Sequence, residues 1–96
     1  MEIRWLEDAL ADLTEIYRYI AADDPRAAAR IVARIEASVR LLAELPHRGR
    51  PGRWPGTREL IIPSTPYLVP YRLQGDRVEV LRVFHGARRW PEEPPG

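Results

Sequence analysis

The chain has 96 residues, which is the length of one small domain, and fifteen basic against fourteen acidic residues leave a net charge of +1. It has no cysteine, which excludes a disulfide framework and a thiolate metal site and suits a cytoplasmic location. No run of eighteen apolar residues could form a transmembrane helix, and the N-terminus lacks the apolar core of a signal peptide. All fifteen basic residues are arginine, so any anion site must use permanently charged guanidinium groups.

Two helices are predicted in the N-terminal half. Residues 2–5 first alternate polar and apolar side chains, as a short strand does. From Leu6 to Ala22 the apolar residues recur at helical spacing. Asp24 is placed to cap, and Pro25 to begin, a second helix that runs to about Leu45. So short a connection predicts an antiparallel helical hairpin.

The C-terminal half is predicted to form a sheet. The segment 46–56, rich in proline and glycine, is predicted to be a loop. Three runs with β-type composition follow it: Thr57–Ile62, Tyr67–Leu73 and Arg77–Phe84. A three-residue turn, Gln74–Asp76, would place Tyr71 opposite Glu79. Pro70, inside the middle strand, predicts a local irregularity because proline cannot donate to the strand ladder.

The element order is therefore β-αα-βββ. This order predicts an α+β fold in which a helical hairpin packs on a small, mostly antiparallel sheet. We expect a single domain over residues 1–91 and a flexible tail over residues 92–96. The two histidines, His47 and His85, are far apart in the sequence and lack the spacing of metal ligands, so neither a metal nor another cofactor is expected.

The end of the last predicted strand carries the residues best suited to an anionic partner, and each has a functional and a structural interpretation. His85 could act as a general acid or base, or could close the strand through a hydrogen bond. Arg82 must be paired or face a cleft, and Glu59 is a candidate partner. Arg88 and Arg89 could hold a phosphate or an acidic segment, or could remain solvated.

Two further features leave the same choice open. Trp90 could stack on a nucleic-acid base or cover the edge of the sheet. Arg26, Arg30 and Arg34 lie four residues apart on one side of the second helix. They could meet acidic residues of a partner or form a solvated helix face.

Three stretches of the chain, taken in order, carry a family resemblance. They are Trp5–Leu13 with Ile16–Ile20 and Pro25, then Gly56–Leu60, and finally Tyr67–Arg72 followed by Leu81–Trp90. Together with the element order, they resemble the RelE/ParE superfamily of toxins from bacterial type II toxin–antitoxin modules. The resemblance implies a toxin neutralised by a cognate antitoxin whose C-terminal segment wraps around it. It also implies no cofactor, no membrane contact, and binding to DNA only through the antitoxin.

The resemblance leaves two targets open. RelE-like members cleave mRNA in the ribosomal A site, whereas ParE-like members inhibit DNA gyrase and are not nucleases. By position, Arg88 matches the strand-end arginine of the nucleases, and His85 could supply the acid or base. Arg82 and Arg72 could supply further positive charge to the reacting phosphate. An enzyme of this kind would be a metal-independent mRNA endonuclease.

Other positions depart from the nuclease pattern. The nucleases carry an arginine directly after a tyrosine of the third strand, but Leu68 follows Tyr67 here. The nucleases also carry lysines on the second strand, where this chain offers Arg58 and no lysine. Loss of one such donor typically lowers the rate by ~10²–10³. The resemblance therefore favours the ParE-like branch, with the mRNA endonuclease as the alternative. In the favoured branch the target would be bound by Arg58, Arg82, Arg88, Arg89 and Trp90. The antitoxin would be bound by Arg26, Arg30, Arg34 and Arg58.

Overall fold

A computed structural model describes residues 1–94 and has two helices packed on one face of a sheet. The elements are β1 (Glu2–Trp5), α1 (Glu7–Ala21), α2 (Pro25–Arg40), β2 (Arg50–Pro51), β3 (Arg58–Ile61), β4 (Tyr67–Gln74), β5 (Arg77–Val80) and β6 (Phe84–His85). The strand order is β1-β5-β4-β3-β2, and β6 pairs with β4. β1 runs parallel to β5, and the other described pairs are antiparallel. The predicted α+β class is confirmed. Of the predicted tail, residues 95 and 96 lie outside the described part of the chain.

The second helix begins where the sequence predicts. The Asp24 carboxylate accepts hydrogen bonds from the backbone N–H groups of Arg26 and Ala27, both at 3.1 Å. Pro25 occupies the first turn, where its missing N–H costs nothing. The helix ends at Arg40 and continues only as a short 3₁₀ turn, so the predicted end near Leu45 is too late. Pro46 disfavours helical backbone at Leu45, so a helix end at that residue is unfavourable.

The two faces of the sheet differ in their surroundings. Side chains alternate across each strand, and one set packs under the helices. We call this side the core face and the opposite side the open face. Buried side chains shared by the helices and the core face are Ala9, Ile35, Val39, Leu42, Leu60, Val69, Tyr71, Val78 and Val80. Each large apolar side chain buried there contributes roughly 1.5–3 kcal/mol.

The β4–β5 hairpin turns over two residues, one fewer than predicted. The observed pairs are Gln74–Arg77, Leu73–Val78, Arg72–Glu79 and Tyr71–Val80. Gly75 and Asp76 alone form the turn, and Gly75 has a φ of 61°, which glycine adopts without a steric penalty. The predicted pairing of Tyr71 with Glu79 is therefore wrong by one residue. This shift places Val80 on the core face beside Tyr71.

The predicted irregularity at Pro70 is present as a bulge. β5 ends at Val80, and pairing with β4 resumes where Phe84 lies opposite Leu68. Residues 81–83 therefore face only residues 69 and 70 of β4. The predicted continuous strand Arg77–Phe84 is interrupted at this point. Pro70 has no N–H for the ladder, and its carbonyl oxygen accepts a hydrogen bond from the Leu81 N–H at 2.9 Å.

Candidate functional site

Arg82 is paired with Asp12 of α1, and the expected pairing with Glu59 is wrong. Its Nε lies 2.6 Å from Asp12 Oδ2 and its Nη2 lies 2.9 Å from Oδ1. Asp12 Oδ2 also accepts a hydrogen bond from the Val83 N–H at 2.9 Å. The hydrogen bond to Asp12 raises the pKa of Arg82 even though burial opposes it. The bulge turns Arg82 toward α1, and the pair ties that helix to the bulged segment.

Glu59 serves a different pair of arginines. It lies on the open face and accepts hydrogen bonds from Arg50 Nη2 at 3.1 Å, Arg53 Nε at 3.2 Å and the Arg53 backbone N–H at 2.8 Å. Burial opposes ionisation of Glu59, but the hydrogen bonds from the two arginines outweigh it and lower its pKa. The predicted loop before β3 is therefore fastened to the sheet by a buried carboxylate.

A cleft of about 680 Å³ lies between α1 and the β4–β6 end of the sheet. It brings His85 and Arg88 together, as the sequence predicts for the end of the last strand. Its other polar lining residues are Asp12, Glu15, Tyr19 and Tyr67. Tyr19 is 82% exposed, which is unusual for so large an aromatic side chain. The cleft therefore combines two basic groups, two carboxylates and two phenol rings.

A hydrogen bond from the backbone orients the imidazole ring of His85. Its Nδ1 accepts the Ala87 backbone N–H at 3.1 Å, which leaves Nε2 to meet a ligand. The ring also contacts Tyr67 edge-on, with the centroids 5.7 Å apart. Burial, with a smaller contribution from the nearby Tyr19, raises the pKa of Tyr67, so that its hydroxyl group remains a hydrogen-bond donor at neutral pH. His85 thus closes the strand through Nδ1 and is also one of the residues that line the cleft.

Trp90 packs within an aromatic cluster. Its ring lies 4.8 Å from that of Phe84 and 4.9 Å from that of Trp54, centroid to centroid. The Arg53 guanidinium lies 3.7 Å from the centroid of the Trp90 ring. These contacts engage the faces that a nucleic-acid base would need, so Trp90 covers the sheet edge in this arrangement. Arg89 is exposed.

Of the four residues expected for a nuclease, three lie at or beside the cleft and Arg72 lies away from it. His85 and Arg88 line the cleft, whereas Arg82 is bound by Asp12 at its margin. Arg72 lies on the open face, where its Nε is 2.8 Å from Glu79 Oε1. Arg77 also binds Glu79, at 3.2 Å. The hydrogen bond from Arg72 is the largest of the interactions that lower the pKa of Glu79.

The arginines expected to bind the antitoxin lie on two separate surfaces. Arg26, Arg30 and Arg34 are exposed along α2. Within residues 1–94 none of these three forms a salt bridge. Arg58 is half-buried near the start of β3, and its Nη1 donates to the Gly49 carbonyl oxygen at 2.7 Å. The structure therefore does not bring Arg58 together with the α2 arginines.

Sequence reasoning missed four of the residues that line the cleft. Tyr19 carries a usable signal, because it is an aromatic residue that lies outside the apolar stripe of α1. Asp12, Glu15 and Tyr67 carry none, since acids on a helix and an aromatic residue in a strand are ordinary. Over residues 1–94, no group of three or more histidines and carboxylates is arranged to hold a metal ion. No helix in the same range is long and apolar enough to cross a membrane.

Comparisons with known proteins agree on one family. Residues 3–90 match the family model described as the ParE toxin of the type II toxin–antitoxin system parDE. Toxin Y4kP of Sinorhizobium fredii is 53% identical over 90 residues, covering 94% of this chain and 93% of that protein. Toxin RelE1 of Caulobacter vibrioides is 41% identical over 80 residues, covering 81% of this chain and 85% of that protein.

A solved structure has the same fold as this chain. The chromosomal ParDE toxin–antitoxin system from P. aeruginosa contains a chain that superposes with a TM-score of 0.79 at 32% identity. The match covers 88% of this chain and 95% of that one. Family model, relatives and structure all span most of the sequence. The chain therefore belongs to the ParE toxin family of type II toxin–antitoxin systems.

Proposed function

We propose that this toxin acts in the cytoplasm by binding DNA gyrase and that it is not a nuclease. The observation that carries the proposal is that two of the candidate catalytic arginines are already paired with carboxylates of the fold. Arg82 is held by Asp12, and Arg72 is held by Glu79 on the other face of the sheet. Leu68, which stands where the nucleases have an arginine, is 5% exposed. Few cations are therefore left to stabilise the negatively charged phosphorane transition state of RNA cleavage. This stabilisation requires several donors that contact the same reacting phosphate.

The cleft fits a role in protein recognition. Arg88, Arg89 and Tyr19 are all exposed at or beside it, and arginine and tyrosine are enriched among the residues that dominate binding energies. Asp12 and Glu15 add negative charge on the α1 side. A surface with both signs of charge around an aromatic group suits a protein better than a polyanion, which the carboxylates would repel. Arg82 and Trp90 contribute less to target binding in this proposal because each is occupied within the fold, and Arg58 contributes less because it lies outside this cleft.

A cognate antitoxin is the partner that membership of this family supports. We propose that it contacts the exposed α2 surface formed by Arg26, Arg30 and Arg34. Like charges four residues apart on a helix destabilise it by about 0.2–0.5 kcal/mol per pair. Acidic side chains of a partner would remove this repulsion. Binding to DNA would then occur through the antitoxin, and no cofactor is required.

A gyrase supercoiling assay tests this function. Purified toxin is added to gyrase, ATP and relaxed plasmid, and we expect inhibition at micromolar toxin. Tyr19→Ala and Arg88→Ala should each raise the inhibitory concentration at least about tenfold, the equivalent of losing one strong interface contact. Arg40→Gln is the matched control, since Arg40 is an exposed arginine on α2 outside the cleft. Unimpaired supercoiling at micromolar toxin would refute the proposal.

The alternative is a ribosome-dependent mRNA endonuclease, and one observation favours it. His85, Tyr67 and Arg88 line one cleft, so an acid or base and a cation are close together. If this alternative holds, translating ribosomes incubated with the toxin will show A-site mRNA cuts. His85→Ala and Arg88→Ala would then abolish cleavage while leaving antitoxin binding intact. Full cleavage by both variants would exclude the cleft as the active site.

A further inference from the structure

A second cleft, at the other end of the sheet, has an unusual balance of charge. It measures about 290 Å³ and lies between the loop before β2, the start of β3 and the end of β4. Its ionisable lining residues are Arg58, Arg72 and His47, and none of its described lining residues is acidic. It shares no described lining residue with the His85–Arg88 cleft. The two sites are therefore separate, and the second needs its own explanation.

Arg58 is the central residue of this second cleft. Its side chain is half-buried, and its Nη1 donates to the carbonyl oxygens of Gly49 at 2.7 Å and His47 at 3.4 Å. Within residues 1–94 it forms no salt bridge, so neutral carbonyl groups hold a charged side chain in place. A partly buried guanidinium is normally compensated by a carboxylate or a bound anion. The missing counter-charge points to an anion from outside this part of the chain.

The basic groups around the cleft are fixed before any ligand arrives. The loop carbonyls orient Arg58, and Glu79 orients Arg72 through a hydrogen bond of 2.8 Å. The Tyr71 hydroxyl group further fixes the loop, since it donates to the Pro46 carbonyl oxygen at 2.7 Å and accepts from the Gly49 N–H at 2.9 Å. Groups that are already ordered lose little conformational entropy on binding, which favours affinity for a small ligand.

We propose that this cleft binds a phosphate group. Its lining residues come from three segments of the chain, and a tetrahedral oxyanion offers them more acceptor oxygens than a carboxylate, which has only two. Guanidinium groups also match phosphate geometry through paired N–H donors. The volume lies at the small end of ligand sites, which fits one phosphate group or a mononucleotide and excludes a large cofactor. The phosphate belongs either to a small molecule or to a nucleic-acid backbone. The proposal is independent of whether gyrase is the target.

Phosphate binding is measured by NMR titration of the full-length toxin at constant ionic strength. Sodium phosphate should shift the Thr57 amide and Arg58 Nε–H resonances in a saturable way with millimolar or tighter affinity, and acetate should bind more weakly. Arg58→Gln should weaken phosphate binding at least about tenfold, because it removes a charge-assisted hydrogen bond. Arg88→Gln, in the other cleft, should leave it unchanged. Absence of saturable shifts, equal binding of acetate, or equal affinity of Arg58→Gln would each overturn the proposal.

Competition experiments identify the source of the phosphate group, and a second variant keeps the test valid if Arg58→Gln does not fold. Competition by a nucleoside 5′-monophosphate but not by a short single-stranded oligonucleotide supports a small-molecule phosphate. Arg58-dependent binding of the oligonucleotide that is tighter than that of the mononucleotide supports a nucleic-acid backbone. If Arg58→Gln loses its cooperative unfolding transition, His47→Gln replaces it, since His47 is the other ionisable residue on the loop side of the cleft. That variant should bind phosphate several-fold more weakly, and wild-type affinity would overturn the proposal.

Discussion

Replacing Asp12 by asparagine should strongly destabilise the fold while preserving the shape of the side chain. Asp12 accepts three hydrogen bonds, two from Arg82 and one from the Val83 N–H. The Arg82 and Asp12 side chains are only 16% and 11% exposed. Removing one partner of a buried ion pair costs about 3–5 kcal/mol. The remaining exposure and the amide oxygen of asparagine reduce the expected loss to about 2–3 kcal/mol.

Thermal unfolding followed by circular dichroism measures this loss. For a domain of this size the Tm falls by roughly 4–8 °C per kcal/mol, so Asp12→Asn should lower it by about 10–20 °C. Asp8→Asn is the control, because Asp8 is an exposed aspartate one turn earlier in α1 that acts on Arg82 only at a distance. Its free energy of unfolding should change by less than about 0.5 kcal/mol.

A double-mutant cycle shows whether the loss belongs to the pair. Asp12→Asn and Arg82→Gln together should cost less than the sum of the single substitutions, with a coupling energy of at least about 1 kcal/mol. Two results would refute the reasoning. One is an Asp12→Asn variant as stable as the Asp8→Asn control, and the other is strict additivity of the two substitutions.

Three further predictions concern the sheet and its loop. Because the pKa of Glu59 is lowered from 4.5, its stabilising effect is complete above that pH and is lost as the pH falls through the folded-state value. The free energy of unfolding, measured as the pH is lowered, should therefore fall less steeply for Glu59→Gln than for the wild type. Tyr71→Phe leaves the buried Gly49 N–H without its acceptor and should cost about 1–3 kcal/mol in urea unfolding, and a cost under 0.5 kcal/mol would contradict this. Trp90→Ala opens the aromatic cluster and should cost about 2–4 kcal/mol, whereas unchanged stability would show that the cluster is not formed.

The sequence predicts well the features that local chemistry determines. The start of α2 follows from Asp24 and Pro25, and the break opposite Pro70 follows from a missing N–H group. The β4–β5 register was missed because Gly75 allows a tighter turn than the predicted three residues. A change of one residue in turn length moves every later side chain to the other face. Hairpin loops of two and three residues are both common, so composition alone does not choose between them.

The candidate site was predicted only in part, for a related reason. His85 and Arg88 lie close together in sequence, so their meeting in one cleft follows from local geometry. The Arg82 partner Asp12 lies seventy residues earlier in the chain, and no local pattern connects the two. The sequence offers Glu59 as a candidate partner because it lies in a neighbouring β-type segment. The bulge directs Arg82 toward α1 instead, and a bulge of this kind becomes visible only when the strands are paired.

The most direct test of the central claim is inhibition of gyrase supercoiling by the purified toxin, measured beside mRNA cleavage on translating ribosomes with the same preparation. The proposed function predicts micromolar inhibition that Tyr19→Ala and Arg88→Ala weaken and Arg40→Gln does not, together with intact mRNA. Normal supercoiling accompanied by A-site cleavage that requires His85 would contradict it.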